Sequence, residues 1–146
     1  MCIVQEPALA EKFFAYLESN ETDYPPIFSA EATRAAYTPQ GKAWRAEMLD
    51  YVQGNIDFVD GWLREHLPQI RAVRPEASFL VWLDCRKLGL PQPALVDLFV
   101  NKARLALNDG SVFGEEGRGF MRLNVGCPRA NLRAALESLA AAVKGH

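Results

Sequence analysis

Residues 119–125 read GFMRLNV, a short stretch typical of a β-strand apart from the full positive charge in its middle. Successive side chains of a strand point to opposite faces of its sheet. One face would carry the apolar residues Met121, Leu123 and Val125. The other face would carry the aromatic, cationic and amide residues Phe120, Arg122 and Asn124. The alternation predicts a strand that packs on helices through one face and presents Arg122 on the other.

The positive charge of Arg122 allows two interpretations. A guanidinium is a rigid fork that binds a carboxylate through two parallel hydrogen bonds. Asn124, two residues along the same face, could add an amide to such a site. Alternatively, Arg122 forms a salt bridge to a nearby acid of its own chain, or lies exposed on an open sheet face. Arg122 and Asn124 are therefore the candidate binding residues of this sequence.

Further elements are predicted on both sides of this strand. A second strand is expected at 77–84, where ASFLVWLD is short, apolar and rich in strand-forming residues. Helical periodicity is present at 7–19, 29–37, 41–66, 92–106 and 128–144. The longest of these helices would extend about 35–40 Å, at a rise of about 1.5 Å per residue.

The order of these elements predicts an α/β (α+β) fold, in which a small sheet of two to four strands packs on helices. A long N-terminal helix would brace this layer. The chain would divide into an N-terminal helical segment at 1–40, a long linking helix at 41–67 and a small α/β domain at 68–146. Together these parts are expected to form one structural unit.

The composition excludes several classes of protein. Hydrophobic residues make up 49% of the chain and charged residues 23%, as in ordinary globular domains. A net charge of −2 without blocks of like charge argues against a nucleic-acid partner. No apolar run is long enough to span a membrane, and the N-terminus lacks the pattern of a signal peptide. We therefore expect a cytoplasmic protein without membrane contacts.

Residues that could carry chemistry by themselves are scarce. The widely spaced Cys2, Cys85 and Cys127 form no zinc or disulfide pattern with each other or with His66 and His146. The glycine-rich stretch GSVFGEEGRGF does not fit the phosphate-loop motif, and is either a plain connection or a mobile flap beside a site. The residues alone predict no catalytic, cofactor-binding or metal-binding side chain.

Several segments together resemble a known family. SFLVWLDCRKLGL (78–90), LNDGSVFGEEGRGFMRLNVGCPR (107–129) and the final helix are similar to the C-terminal part of pyridoxal-phosphate (PLP) enzymes of the class I/II aminotransferase family. The likeness is closest to the MalY/PatB-type cystathionine β-lyase (C–S lyase) branch and covers nearly the whole chain. It implies the fold-type I architecture, in which this region builds the smaller, C-terminal domain.

The resemblance also implies functional roles. Arg122 falls on the position where the family holds an arginine that binds the α-carboxylate of the substrate. Family members bind PLP through a Schiff-base lysine of a large N-terminal domain, and no lysine of this chain lies in that context: Lys12, Lys42, Lys87, Lys102 and Lys144. We therefore expect PLP in a full-length parent, none bound to this chain alone, and no activity of the isolated chain.

Two functional hypotheses differ in the partners that they require. In the first hypothesis, the chain is the substrate-carboxylate-binding domain of a homodimeric, PLP-dependent C–S lyase or aminotransferase. This enzyme would act on amino acids, and the chain would lie beside a PLP-binding large domain. Alternatively, it is a stand-alone, non-catalytic interaction module that pairs with a separate PLP-domain chain or with a second copy of itself. A third interpretation, an unrelated α/β binding domain, would be supported by a structure without the strand–helix–strand order around 78–125.

Overall fold

The computed structural model describes residues 3–22, 24 and 26–145, so Cys2 and His146 lie outside the described residues. The α-helices in this part of the chain are α1 (Pro7–Ser19), α2 (Ile27–Ala36), α3 (Pro39–His66), α4 (Gln92–Asp97) and α5 (Arg129–Lys144). The strands are β1 (Arg71–Val73), β2 (Leu80–Asp84), β3 (Asn108–Asp109) and β4 (Phe120–Asn124). The strand–helix–strand order predicted around 78–125 is therefore present as β2, α4 and β4.

The strands form one antiparallel sheet in the order β1-β2-β4-β3. On β4, Arg122 lies opposite Trp82 of β2 on one side and opposite Asn108 of β3 on the other. The predicted fold class is confirmed: a small sheet packs on helices, and its four described strands lie within the predicted range of two to four.

The two faces of β4 differ in burial as the alternation predicts. The apolar residues of the inner face are at most 7% exposed: Met121, Leu123 and Val125. On the outer face, Phe120 and Arg122 are half-buried and Asn124 is exposed. Arg122 therefore points away from the core of the domain.

The core lies between the inner face of the sheet and three helices. α3 contributes residues at helical spacing, namely Val52, Ile56, Val59 and Leu63. α5 contributes Leu132, Leu136 and Leu139. Phe99 is fully buried within the π-helical turn Leu98–Lys102 that continues α4. Since a fully buried side chain of this size contributes about 1.5–3 kcal/mol, this layer holds the helices on the sheet.

Some predicted boundaries differ from the observed ones for local reasons. β1 and β3, with three and two residues, are too short to show an alternating pattern. The helix predicted from residue 29 begins earlier, at Ile27 with Pro26 as its N-cap, so Ser29 lies inside α2 and its hydroxyl donates to the carbonyl of Pro26. The helix predicted over 92–106 ends at Lys102, after its change to π-helical geometry.

The chain forms two compact units, Met1–Ala46 and Glu47–His146, with their boundary inside α3. In the first unit, no residue of α1 or α2 is fully buried. The second unit contains every buried hydrophobic residue of the described chain. The three-part division predicted at 1–40, 41–67 and 68–146 stays a prediction.

Candidate functional site

Arg122 lies on the outer face of the sheet between two neighbours that fix its guanidinium. Its Nη2 donates a hydrogen bond of 2.9 Å to Oδ1 of Asn108, the residue directly opposite on β3. The central carbon of the guanidinium lies 4.4 Å from the ring centroid of Phe113, which is a cation–π contact. The hydrogen bond limits rotation of the guanidinium, and the ring of Phe113 covers one of its two faces.

The charge of Arg122 has no opposite partner in the described part of the chain. No carboxylate among the described residues lies within 4.0 Å of its guanidinium nitrogens. Its Nε is buried and has no hydrogen-bond acceptor among those residues. A buried donor without a partner costs about 1–3 kcal/mol. The guanidinium is therefore oriented but not neutralised by the residues around it.

Aromatic side chains cover the sheet next to Arg122. Trp82 packs edge-on against Phe113 and Phe120, with ring centroids 5.5 Å and 6.0 Å apart. Beside these rings opens a pocket of about 290 Å³, lined by Val73, Trp82, Phe113, Glu116, Gly117 and Phe120. Phe113 both contacts Arg122 and lines this pocket, so a charged group and an apolar cavity share one face of the sheet.

The glycine-rich connection before β4 is a loop built from short turns. It contains two 3-10 turns, Gly110–Phe113 and Glu115–Gly117. Gly110 and Gly117 pack backbone against backbone, and a Cβ on either one would overlap the carbonyl oxygen of the other. Only glycine fits at both positions of this contact, because any larger residue would push the two turns apart. The loop therefore places Phe113 at a defined position over Arg122.

Hydrogen bonds tie this loop to α4. Oδ1 of Asp109 accepts from the N–H of Ser111 at 2.8 Å and from the side-chain amide of Gln92 at 2.5 Å. Oε1 of Gln92 accepts from the N–H of Gly119 at 2.7 Å. Burial would raise the pKa of Asp109, but the hydrogen bonds from Ser111 and Gln92 outweigh burial and lower the pKa. Asp109 therefore remains ionised at neutral pH and anchors the loop.

Asn124 shares the outer face with Arg122, and its side chain forms a local turn. Its Oδ1 accepts a hydrogen bond of 2.8 Å from the N–H of Gly126. Gly126 belongs to the lining of a second apolar pocket, of about 460 Å³, with Met48, Tyr51, Val52, Phe79, Cys127 and Pro128. The structure thus puts Arg122 and Asn124 on one face, and a binding role for Asn124 stays a prediction.

The described residues lack the features of several other kinds of site. These residues include no group of three or more His, Cys, Asp or Glu side chains that could hold a metal ion. Cys85 and Cys127 are free thiols, and burial raises the pKa of Cys85 to about 12. None of the described helices combines the length and hydropathy needed to cross a membrane.

Asn108 and Phe113 are the residues of this site that the sequence pattern does not reveal. Asn108 belongs to a strand of two residues, so its register opposite Arg122 depends on the pairing of strands distant in sequence. Phe113 stands in a loop, where no periodicity indicates the direction of a side chain. The available signal is the aromatic residue among the glycines that precede the strand of Arg122.

Two relatives with similar sequences are longer than this chain. It is 33% identical over 141 residues to cystathionine beta-lyase PatB of Bacillus subtilis (strain 168). It is 29% identical over 143 residues to protein MalY of Escherichia coli (strain K12). Each match covers 97% of this chain and 36% of the relative, so the chain spans about a third of the length of these relatives. No protein-family model matches the chain.

A solved structure shares the fold. Cystalysin from Treponema denticola, which contains a pyridoxal 5'-phosphate cofactor, matches with a TM-score of 0.84 and 27% identity, over 98% of this chain and 36% of that one. Sequence and fold together place the chain in the class I/II aminotransferase family of PLP enzymes, where it corresponds to the C-terminal domain. Within this family, the chain belongs to the branch of PatB and MalY. The predicted family is confirmed.

The residues of this chain do not fit PLP. Enzymes that use PLP hold it as an imine with a lysine whose amine is activated by its surroundings. All five lysines are exposed and lie on different elements: Lys12, Lys42, Lys87, Lys102 and Lys144. None of them is enclosed with groups that could hold a phosphate and a pyridine ring. A binding role for Arg122 stays a prediction, and the described residues around it include no lysine.

Proposed function

We propose that this chain is the substrate-carboxylate-binding domain of a PLP-dependent C–S lyase or aminotransferase that acts on amino acids. The observation that carries the proposal is the half-buried guanidinium of Arg122, which Asn108 and Phe113 hold in place without neutralising it. The family to which the chain belongs supports the reaction class.

The α-carboxylate of an amino acid suits this guanidinium. A carboxylate can accept two parallel hydrogen bonds from an arginine, and such charge-assisted bonds are stronger than neutral ones. Because Nε is enclosed, an anion would reach Arg122 along the edge that its Nη atoms form. Arg122 would bind and orient the substrate, and it would take no part in proton transfer.

The catalytic groups would lie outside this chain. We propose that a large domain beyond the described residues binds PLP, and that the chain alone is inactive. This proposal is supported by the exposure of every lysine of the chain. The substrate of the complete enzyme would be bound between that domain and the face of the sheet that carries Arg122.

A stand-alone, non-catalytic interaction module is the second candidate function. It is supported by large apolar side chains on α1 and α2 that are more than half exposed: Leu9, Phe14, Tyr16, Ile27 and Phe28. Soluble proteins seldom leave large apolar areas open unless a partner covers them. Under either candidate function, we propose that α1 and α2 contact a PLP-binding domain or a second copy of the chain in a homodimer.

Titration of the chain with L-alanine tests the carboxylate role of Arg122. We expect saturable shifts of the backbone amide resonances of Asn108 and Leu123, with a dissociation constant of about 10 mM or above, because one charge-assisted pair contributes roughly 1.5–3 kcal/mol. Arg122→Ala and Arg122→Lys should lose these shifts, since neither side chain provides a fork.

Two controls separate this site from general attraction to positive charge. L-alaninamide lacks the carboxylate and should leave the same resonances unmoved. Arg64→Ala removes a cation from the exposed side of α3 and should bind L-alanine as the wild type does. Equal binding by the wild type and Arg122→Ala would contradict the proposal.

A further inference from the structure

The contacts that orient the guanidinium of Arg122 come from side chains of this chain. A free arginine side chain has many rotamers, and binding a ligand removes this freedom at a cost in affinity. Asn108 fixes one Nη atom, and the ring of Phe113 fixes one face of the guanidinium. A guanidinium that is already oriented loses less freedom when a carboxylate arrives.

Both supports are themselves fixed by the fold. Asn108 is paired with Arg122 in the β3–β4 register, so its side chain emerges beside that of Arg122. Phe113 closes a 3-10 turn whose N-cap is Asp109, and Gln92 of α4 holds Asp109 in place. The orientation of Arg122 therefore depends on β3 and α4 as well as on β4.

The acceptor at position 108 is uncharged. The amide oxygen of Asn108 accepts one hydrogen bond from Arg122 and leaves the net charge of the guanidinium unchanged. An aspartate has the same size but would form an ion pair with Arg122 and compete with an incoming carboxylate. The adjacent carboxylate, Asp109, is occupied by hydrogen bonds from Ser111 and Gln92.

We infer that Asn108 is a positioning residue for carboxylate binding by Arg122: its neutral amide orients the guanidinium, with Phe113 against one face, and leaves the full charge to the ligand. The inference rests on the proposed function of Arg122. It adds that a neutral side chain at position 108 is a requirement of the site.

Two substitutions at this position separate orientation from charge. Asn108→Ala removes the orienting bond and should weaken L-alanine binding about threefold, since Arg122 keeps its charge. Asn108→Asp should weaken binding about tenfold or more, because the new carboxylate occupies the guanidinium. The same ion pair should leave the stability of Asn108→Asp in urea equal to or above that of the wild type.

The measurements are L-alanine titrations and urea unfolding of each variant, with the Arg122 Nε–H resonance as a direct probe. This resonance should move in both Asn108 variants. Asn131→Asp makes the same change of charge on α5 and should bind L-alanine with wild-type affinity. A merely structural role of Asn108 would instead make affinity and stability fall together.

The possible failures of the two ideas differ. If Asn108→Asp binds L-alanine like the wild type while Arg122→Ala does not bind it, the positioning role is wrong and the carboxylate role of Arg122 stands. If Arg122→Ala also binds like the wild type, the proposed function is wrong and the positioning role falls with it.

Discussion

The carboxylate of Asp84, at the end of β2, is held by two arginines. It accepts hydrogen bonds from Nε and Nη2 of Arg86 at 2.9 Å and 2.8 Å, and from Nη2 of Arg71 at 3.4 Å. The hydrogen bonds from Arg86 are the main cause that lowers the pKa of Asp84 to about 2, although burial opposes the shift. With 9% of its surface exposed, Asp84 is shielded enough for this pairing to affect stability.

The stability of the chain should therefore decrease in acid through Asp84. Its pKa falls from 3.8 to about 2 on folding, so the ionised form stabilises the folded state above about pH 4, and this stabilisation is lost as the pH falls through 2. Urea unfolding of the wild type and Asp84→Asn is the measurement. The difference between their unfolding free energies should shrink by about 1 kcal/mol from about pH 6 to about pH 3. A constant difference would contradict the role of this pair.

Single residues of the candidate site were only partly predictable. The direction of Arg122 follows from the alternation within one strand, which is a local property. Asn108 and Phe113 reach Arg122 through strand pairing and loop geometry, which are properties of the folded chain. A sequence pattern can therefore indicate the charged group of a site more readily than the neutral groups that orient it.

At the scale of elements, one buried amide joins α3 to the turn between β4 and α5. Asn55 is 0% exposed, and its Nδ2 donates to the carbonyl oxygens of Val125 and Cys127, both at 2.9 Å. Its Oδ1 accepts from Nε of Arg129 at 3.0 Å. The turn that follows the strand of Arg122 is therefore fixed by the long helix.

Removal of this amide should destabilise the chain. Asn55→Ala leaves the carbonyl groups of Val125 and Cys127 without their buried donor, so we expect a loss of about 2 kcal/mol in the free energy of unfolding. Gln53→Ala, on the exposed side of the same helix, should change it by less than about 0.5 kcal/mol. Urea unfolding measures the stability of both variants. Equal effects of the two substitutions would argue against a stabilising role of the Asn55 amide.

The elements themselves were predictable in proportion to their length. α3 was predicted within two residues of its observed start, because its apolar residues repeat over seven turns. β1 and β3 were not predicted, because their edge positions arise from pairing with β2 and β4 and not from a pattern of their own. The change of α4 to a π-helical turn also has no signal in the periodicity of the sequence.

At the scale of the whole molecule, buried apolar surface is distributed unevenly. Every buried hydrophobic residue of the described chain lies between Val52 and Leu139, inside the unit Glu47–His146. In the first unit, α1 relies on local contacts such as the Glu6 carboxylate, which accepts from the N–H groups of Ala8 and Leu9. Short helices with few buried side chains are marginal in water. The exposure of these helices is consistent with the partner contact proposed above for this segment.

The whole chain should not assemble a PLP site. Mixing it with PLP is expected to give no visible absorbance band of a stable PLP–lysine imine, because each lysine is exposed to water. Lys87 lines a pocket of about 230 Å³, so Lys87→Arg is the variant to compare with the wild type. A strong band that a single lysine substitution abolishes would show that the chain binds the cofactor on its own.

The enclosed Nε of Arg122 has a consequence for how such a chain evolves. A buried donor without an acceptor weakens the folded state, and an apolar side chain of similar length, such as methionine, would fill the same space without that cost. Selection for thermal stability alone would therefore favour the loss of the arginine, whereas selection for ligand binding would retain it. Under the proposed carboxylate role, position 122 is thus a point at which folding and ligand binding make opposite demands on one residue.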